Sequence, residues 1–222
     1  LIRRLAKQVD GFLLCSPRAP DEELRAFAAE TPLVVLNRRV GPIPAILCDN
    51  VDGMRQAVAH LHALGHRRVA YVAGPCTSWA NRERTRGLRT AAAALGVEVV
   101  EIGHTAPTFE GGAAAADLVL AASVTAVIAY NDLQALGLLS RFGERGAEVP
   151  GRISVVGCDD IPAAALVTPR LTTVTQGKEQ AGRAAVDLLL EILQGRQGPT
   201  GPRRVMPAQL IVRGSTGPAP DA

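Results

Sequence analysis

The chain is 222 residues long, about one and a half times a ~150-residue domain, so it holds one large or two small folded units. That length excludes a small disulfide-stapled scaffold, and with 47% hydrophobic and 20% charged residues an intrinsically disordered chain is excluded too. A net charge of +3 is too small for a surface that wraps nucleic acid through its phosphates, and 3% aromatics leave no platform for stacking single-stranded bases.

Along the chain, short runs rich in Val, Ile and Leu alternate with longer helix-patterned segments. Strands are predicted at 11–15, 33–36, 45–48, 69–73, 97–102, 126–130, 153–157, 172–175 and, late, at 204–212. Helices are predicted between them at 21–29, 53–64, 82–95, 112–121, 133–145 and 178–194. Gly65, Gly96, Gly146 and Gly195 each follow an apolar-periodic stretch, where a left-handed helix stop favours glycine. This order defines an α/β class with parallel strands and crossover helices. The segment 214–222, Gly- and Pro-rich, reads as a frayed tail.

The longest uncharged apolar run, from Leu118 to Tyr130, is 13 residues, short of the ~20 that cross a bilayer. Cys15, Cys48, Cys76 and Cys158 lack CxxC spacing and mostly follow apolar runs, so they read as buried small hydrophobes in a reducing, cytoplasmic compartment. No metal cluster and no cofactor is expected. The chain carries no GxSxG, HExxH or glycine-rich phosphate loop, and the adjacent Asp159 and Asp160 are poorly placed to serve as general acid and base, so it is not read as an enzyme.

Three stretches go beyond a generic α/β pattern: DNVDGMRQAVAHLHALGHRRVAYVAG from Asp49 to Gly74, TAVIAYNDLQALG from Thr125 to Gly137, and VPGRISVVGCDDIPAAALVTPRLTTVT from Val149 to Thr175. Together with VDGFLL at Val9 to Leu14 and TPLVVLNR at Thr31 to Arg38, in this order over about residues 5–213, they resemble the LacI/GalR-type family of bacterial transcription regulators, in its effector-binding domain. The resemblance implies a periplasmic-binding-protein-like fold of two Rossmann-like subdomains with parallel sheets and a small-molecule cleft between them. It places residues 1–66 and 172–195 in an N-terminal subdomain and 67–169 and 200–213 in a C-terminal one. The family's N-terminal helix-turn-helix, its hinge and the first elements of the first subdomain have no counterpart before VDGFLL, so that subdomain is expected to be incomplete here. Operator DNA is expected to be bound only through that absent segment.

The resemblance also implies site residues. Arg84, in the Arg-x-x-Gly from Arg84 to Gly87, matches an effector-binding arginine, whose forked donors suit a hydroxyl pair or carboxylate; a solvated surface role, shared with Arg82, Arg86 and Arg89, is the alternative. Ser78 and Trp79 precede it, Ser78 as a donor or acceptor and Trp79 either over a sugar's apolar face or as a packed cap of the loop. Asn131 matches a ligand-binding amide at the carboxyl end of a strand, while Asp132 reads as the cap of the next helix. Asp159 matches the effector-binding carboxylate, Asp160 reads as a turn residue, and Gln176 offers either a bidentate amide or a crossover hydrogen bond. Cys158 and Pro107 stand where many members carry an aromatic, with Phe109 two residues beyond Pro107. His66 reads as a structural turn residue, and His60, His62 and His104 show no partner spacing.

One positive and one negative group among polar neutral ones suit a polar neutral effector, a sugar in preference to a nucleoside. Such a domain would couple effector binding to operator affinity. The competing expectation is the sugar-binding component of an ABC transporter on the same fold. Met54, Val58 and Leu61, at helical spacing, read either as core or as the face of a homodimer.

Overall fold

The computed structural model of the protein describes residue 5, residues 7–196, residue 201 and residues 203–220. In chain order it contains β1 (Phe12–Cys15), α1 (Asp21–Glu30), β2 (Leu33–Leu36), β3 (Ala45–Cys48), α2 (Asn50–Ala63) and β4 (Arg68–Ala73). There follow α3 (Trp79–Leu95), β5 (Glu98–His104), α4 (Phe109–Ala121), β6 (Ala126–Ala129), α5 (Asp132–Glu144) and β7 (Ser154–Cys158). A short 3-10 turn (Pro162–Ala165) leads to β8 (Thr172–Thr175), α6 (Lys178–Leu193), β9 (Arg203–Met206) and β10 (Gln209–Ile211).

The strands form two sheets, one of order β1-β2-β3-β9 and one of order β10-β8-β7-β6-β4-β5. Every pairing is parallel except β10 against β8. The chain divides into two compact units to match. One takes Leu1–Asp49, Thr77–Ala80 and Gln176–Pro207; the other takes Asn50–Cys76, Asn81–Thr175 and Ala208–Ala222.

Strand alternation decides which helix covers which face. In the four-stranded unit Val34 and Ile46 face Ala181, Ala185 and Leu188 of α6. Their neighbours Leu33 and Val35 point the other way and pack with Leu24 of α1. In the six-stranded unit Val69, Tyr71, Ile128 and Val156 pack with Met54, Val58 and Leu61 of α2 and Leu88 of α3. The alternate positions Ala70, Val72, Val127 and Val155 pack with Val119 of α4 and Leu138 and Phe142 of α5. Both sheets are therefore covered on two faces, as the continuous apolar runs require. The glycine helix stops are in place, with φ of +92° at Gly65 and +67° at Gly146.

Several expectations change. The division falls at Asp49/Asn50, not at residue 66, because α2 packs on the six-stranded sheet: a Cβ on Gly53 would sit 2.8 Å from Val174 and 3.2 Å from Ala208. For the same reason β8 stays with the six-stranded sheet while α6 goes to the other unit. The expected strand 204–212 is two strands in different sheets, β9 beside β3 and β10 beside β8. Pro207, which has no N–H to give a ladder, lies between them.

Met54, Val58 and Leu61 are at most 2% exposed, so this stripe is core and not a docking face. Cys48 and Cys158 are buried, but Cys15 and Cys76 are exposed, Cys15 at the end of an edge strand and Cys76 in the β4–α3 loop.

The segment after Gly214 is not frayed over its described length. Ser215 Oγ accepts from the Thr172 N–H at 2.8 Å and donates to the Val155 carbonyl at 2.6 Å, and the Ala219 N–H donates to Leu64 O at 2.8 Å. His66 is fully buried beneath this segment, with Nδ1 2.8 Å from Thr125 Oγ1 and Nε2 3.1 Å from the Gly217 carbonyl. A carbonyl only accepts, so Nε2 carries the proton and Nδ1 accepts from Thr125.

Candidate functional site

In a parallel sheet all strands end at the same edge, and in the six-stranded unit β4, β6 and β7 deliver Gly74, Tyr130 and Asp159 there. Asp159 and Asp160 leave β7 with φ of +126° and +49°, in the left-handed region that costs a non-glycine residue roughly 1–3 kcal/mol. The strained turn is held from both sides. The Asp159 N–H donates to Val174 O at 2.9 Å, and Arg213 Nη2 donates to Asp160 Oδ1 at 2.7 Å. Asp160 is thus tied to β10's extension, while the Asp159 carboxylate turns toward α3.

Arg84, from the second turn of α3, meets it there. Its Nη2 donates to Asp159 Oδ1 at 3.3 Å, its Nε to Asn50 Oδ1 at 2.9 Å, and its Nη1 to the Tyr130 carbonyl. The guanidinium carbon lies 4.7 Å from the centre of the Tyr130 ring, a cation–π distance. Burial opposes the Arg84 charge, but Cys158 and Asp159 beside it favour the charged form more, and the group is held above its already high ordinary value. The Arg84 side chain is 2% exposed and that of Asp159 29%, so it is the carboxylate that opens to solvent.

Asn131, next to Tyr130, is committed to the fold. Its Oδ1 accepts from the Gln134 N–H at 2.9 Å, capping α5, and its Nδ2 donates to Pro107 O at 3.0 Å. The expected cap, Asp132, instead points across the sheet, where its oxygens accept from Thr173 Oγ1 at 2.5 Å and the Ile161 N–H at 2.9 Å. Gly157 leaves the room for it, since a Cβ there would stand 2.2 Å from Asp132 Oδ1. Asn81 shapes the β4–α3 loop by accepting from Tyr71 Oη and the Gly74 N–H, each at 2.9 Å. Burial pushes the Tyr71 phenol up, keeping it a neutral donor.

Arg84, Asn131 and Asp159 are thus gathered in one unit, around Tyr130. Ser78, Trp79 and Gln176 belong to the other unit, where Ser78 and Trp79 are half-buried and Gln176 is buried, its carbonyl 3.7 Å from Cys48 Sγ. Sequence reasoning missed Tyr130 and Asn50. Tyr130 reads as the end of a β-run and Asn50 lies before the helix expected at 53–64, and only their meeting at Arg84 marks them.

A family model described as a periplasmic binding protein-like domain matches residues 58–216, which agrees with the two parallel-sheet units and defines the class of binding domain. The chain is 34% identical over 219 residues to the HTH-type transcriptional repressor CytR of Escherichia coli strain K12, covering 96% of this chain and 64% of that protein. Among solved structures, the transcriptional regulator CelR–cellobiose complex matches with a TM-score of 0.87 at 34% identity, over 96% of this chain and 68% of that one. A LacI transcriptional regulator from a Rhodococcus species matches with a TM-score of 0.90 at 30% identity, over 99% and 83%. The chain belongs to the LacI family of transcriptional regulators, as its effector domain. These relatives are regulators and not transporter components. No described helix is long and apolar enough to cross a membrane.

Proposed function

We propose that this domain senses a small uncharged polar effector, a sugar, and that in the full-length protein it sets the affinity of a helix-turn-helix for operator DNA in the cytoplasm. The observation that carries the reading is the strained, partly open Asp159 carboxylate, fixed by Arg84 at the carboxyl edge of a parallel sheet, where α/β folds place ligands. A carboxylate accepts from sugar hydroxyls, and its pairing with Arg84 leaves the site near neutrality. The cellobiose held by the related CelR supports the carbohydrate class.

Ser78, Trp79 and Gln176 are proposed as further effector contacts, and Asn131 as a group that holds the site's floor. The chemistry is binding, not catalysis. The working unit is proposed as a homodimer, the arrangement by which helix-turn-helix proteins bind two half-sites related by a two-fold axis. Calorimetric titration of the full-length protein with a panel of neutral sugars tests the assignment. One sugar should bind, and Asp159→Asn should weaken it at least about tenfold, the scale of one charge-assisted hydrogen bond. Unchanged binding in this variant would remove Asp159 from the site.

A further inference from the structure

The stretch NRERTRGLR places four arginines on α3, and the site at Asp159 uses only Arg84. Arg82, Arg86 and Arg89 recur at i, i+4 and i+7, on the helix face turned away from Arg84, and they are exposed where Arg84 is buried. They line a cavity of about 420 Å³ at the carboxyl ends of β4 and β5, together with Cys76 of the β4–α3 loop and Glu101 and His104 of β5. Every residue of its wall belongs to the six-stranded unit, and three arginines face one glutamate there. Arg89 Nε and Nη2 both donate to Glu101 Oε1, at 2.8 and 2.6 Å, which joins α3 to β5 and keeps Nη1 for another acceptor. Arg86 Nη2 is paired with Glu83, one turn back, and Arg82 has no partner among the described residues. His104 Nδ1 lies 2.6 Å from the Gly74 carbonyl; a carbonyl only accepts, so Nδ1 carries the proton and Nε2 remains as an acceptor.

We infer that this cavity is a second ligand site, separate from the one at Asp159, for a small molecule that carries a phosphate group. Guanidinium forks match phosphate oxygens in paired hydrogen bonds, and Arg82, with the remaining N–H groups of Arg86 and Arg89, presents such forks from successive turns of one helix. The surplus of positive charge on the wall suits a dianion better than a neutral sugar or a single carboxylate. Across the cavity, His104 Nε2 and the Glu101 carboxylate accept from hydroxyls, so the uncharged part of the ligand meets β5. Its position at the carboxyl edge of a parallel sheet is the one α/β folds use for ligands, and its volume falls within the ordinary range of small-molecule pockets. A ligand that fills it also covers the Cys76 thiol.

The test does not depend on what the Asp159 site takes. Calorimetric titration of the full-length protein with inorganic phosphate and with glycerol phosphate, against chloride at matched ionic strength, reads the site directly. Phosphate should bind saturably where chloride does not, and it should slow the alkylation of Cys76 by iodoacetamide, followed by peptide mass spectrometry. Tighter binding of glycerol phosphate than of inorganic phosphate assigns a phosphorylated polyol; equal affinities assign the free anion. Arg82→Gln and Arg89→Gln should each weaken phosphate binding at least about tenfold, the scale of one charge-assisted hydrogen bond. Arg141→Gln, which removes the same charge from α5, should keep the wild-type affinity. Thermal melts identify the variants that fold. No saturable binding of either phosphate would overturn the site. So would folded Arg82→Gln and Arg89→Gln proteins that both keep the wild-type affinity, or an Arg141→Gln protein that loses as much as they do.

Discussion

Two buried side chains, Arg84 and His66, show how a single residue ties this fold to its surroundings. Arg84→Met would keep the stem's packing but remove the hydrogen bonds that Arg84 donates to the Asn50 amide oxygen, the Tyr130 carbonyl and Asp159. Breaking a buried pair costs about 3–5 kcal/mol, and because Asp159 is partly open the lower end applies. Urea denaturation should show a drop of about 3 kcal/mol. At His66 the quantity to read is pH dependence. Burial, with smaller contributions from His60 and Arg67, holds its pKa below the ordinary 6.5, against the opposing hydrogen bond to Gly217; burial lowers His60 as well. The unfolded chain therefore takes up protons that the folded one refuses. The stabilisation is complete above pH 6.5 and is lost as pH falls from there toward the depressed folded value. Urea midpoints should decline from pH 7 to pH 5. His66→Gln should cost roughly 1–3 kcal/mol at pH 7, through unmet bonds to Thr125 and Gly217, and the gap to wild type should narrow at pH 5. The structural role of His66 was legible from GHRR, where it stands between a glycine helix stop and a strand. The burial of Arg84 was not, because four arginines share NRERTRGLR and only the tertiary placement of Asn50 and Asp159 separates one from the rest.

Helices α4 and α5 pack backbone against backbone, for a reason visible in their glycines. A Cβ on Gly112 would stand 2.0 Å from the Gln134 carbonyl oxygen, and one on Gly137 2.0 Å from that of Phe109. Both obstacles are backbone, so neither can rotate away. Gly112→Ala or Gly137→Ala should therefore cost at least about 1–3 kcal/mol, the range of overpacked cores. Gly143 lies on the same helix α5, but nothing stands within 4 Å of its ideal Cβ. There alanine should stabilise by about 0.5–1 kcal/mol, through helix propensity alone. Opposite signs from one substitution type on one helix, read by thermal melts, check the packing directly. The elements themselves were legible because their local signals agree: Leu33–Leu36, Ala45–Cys48 and Thr172–Thr175 have the bounds their β-branched runs imply. Their destinations were not. Nothing local in RRVMPAQLIV says that Pro207 separates two sheets, and the apolar stripe of α2 fits either sheet until Gly53 is seen against Val174.

At the scale of the whole molecule the question is how a ligand at Asp159 would reach DNA. The chain spans 64% of the length of CytR, so the proposed coupling is a property to be tested in the full-length protein. An effector can shift a conformational equilibrium only by the difference in its affinity for the two states, commonly ~1–3 kcal/mol, or roughly 5- to 150-fold. The Arg84–Asp159 pair limits where that difference can arise, because Arg84 also holds Asn50 at the first turn of α2. This residue opens the unit just after Asp49, where the chain leaves the four-stranded sheet. A ligand that draws on Asp159, as proposed, would thus compete with the Arg84–Asn50 bond at the first turn of α2. Reciprocity makes the consequence measurable: operator DNA must change effector affinity by the same factor by which effector changes operator affinity. Calorimetric titration of effector with and without saturating operator, paired with operator titration with and without effector, should return one coupling factor within that range. Asn50→Ala, which frees the α2 start from Arg84 while leaving the Arg84–Asp159 pair in place, should bring the factor toward one with effector affinity changed severalfold at most. Equal effector affinities with and without operator in the wild type, in a protein that binds both, would exclude this coupling. Full coupling retained in Asn50→Ala would exclude the route through Arg84.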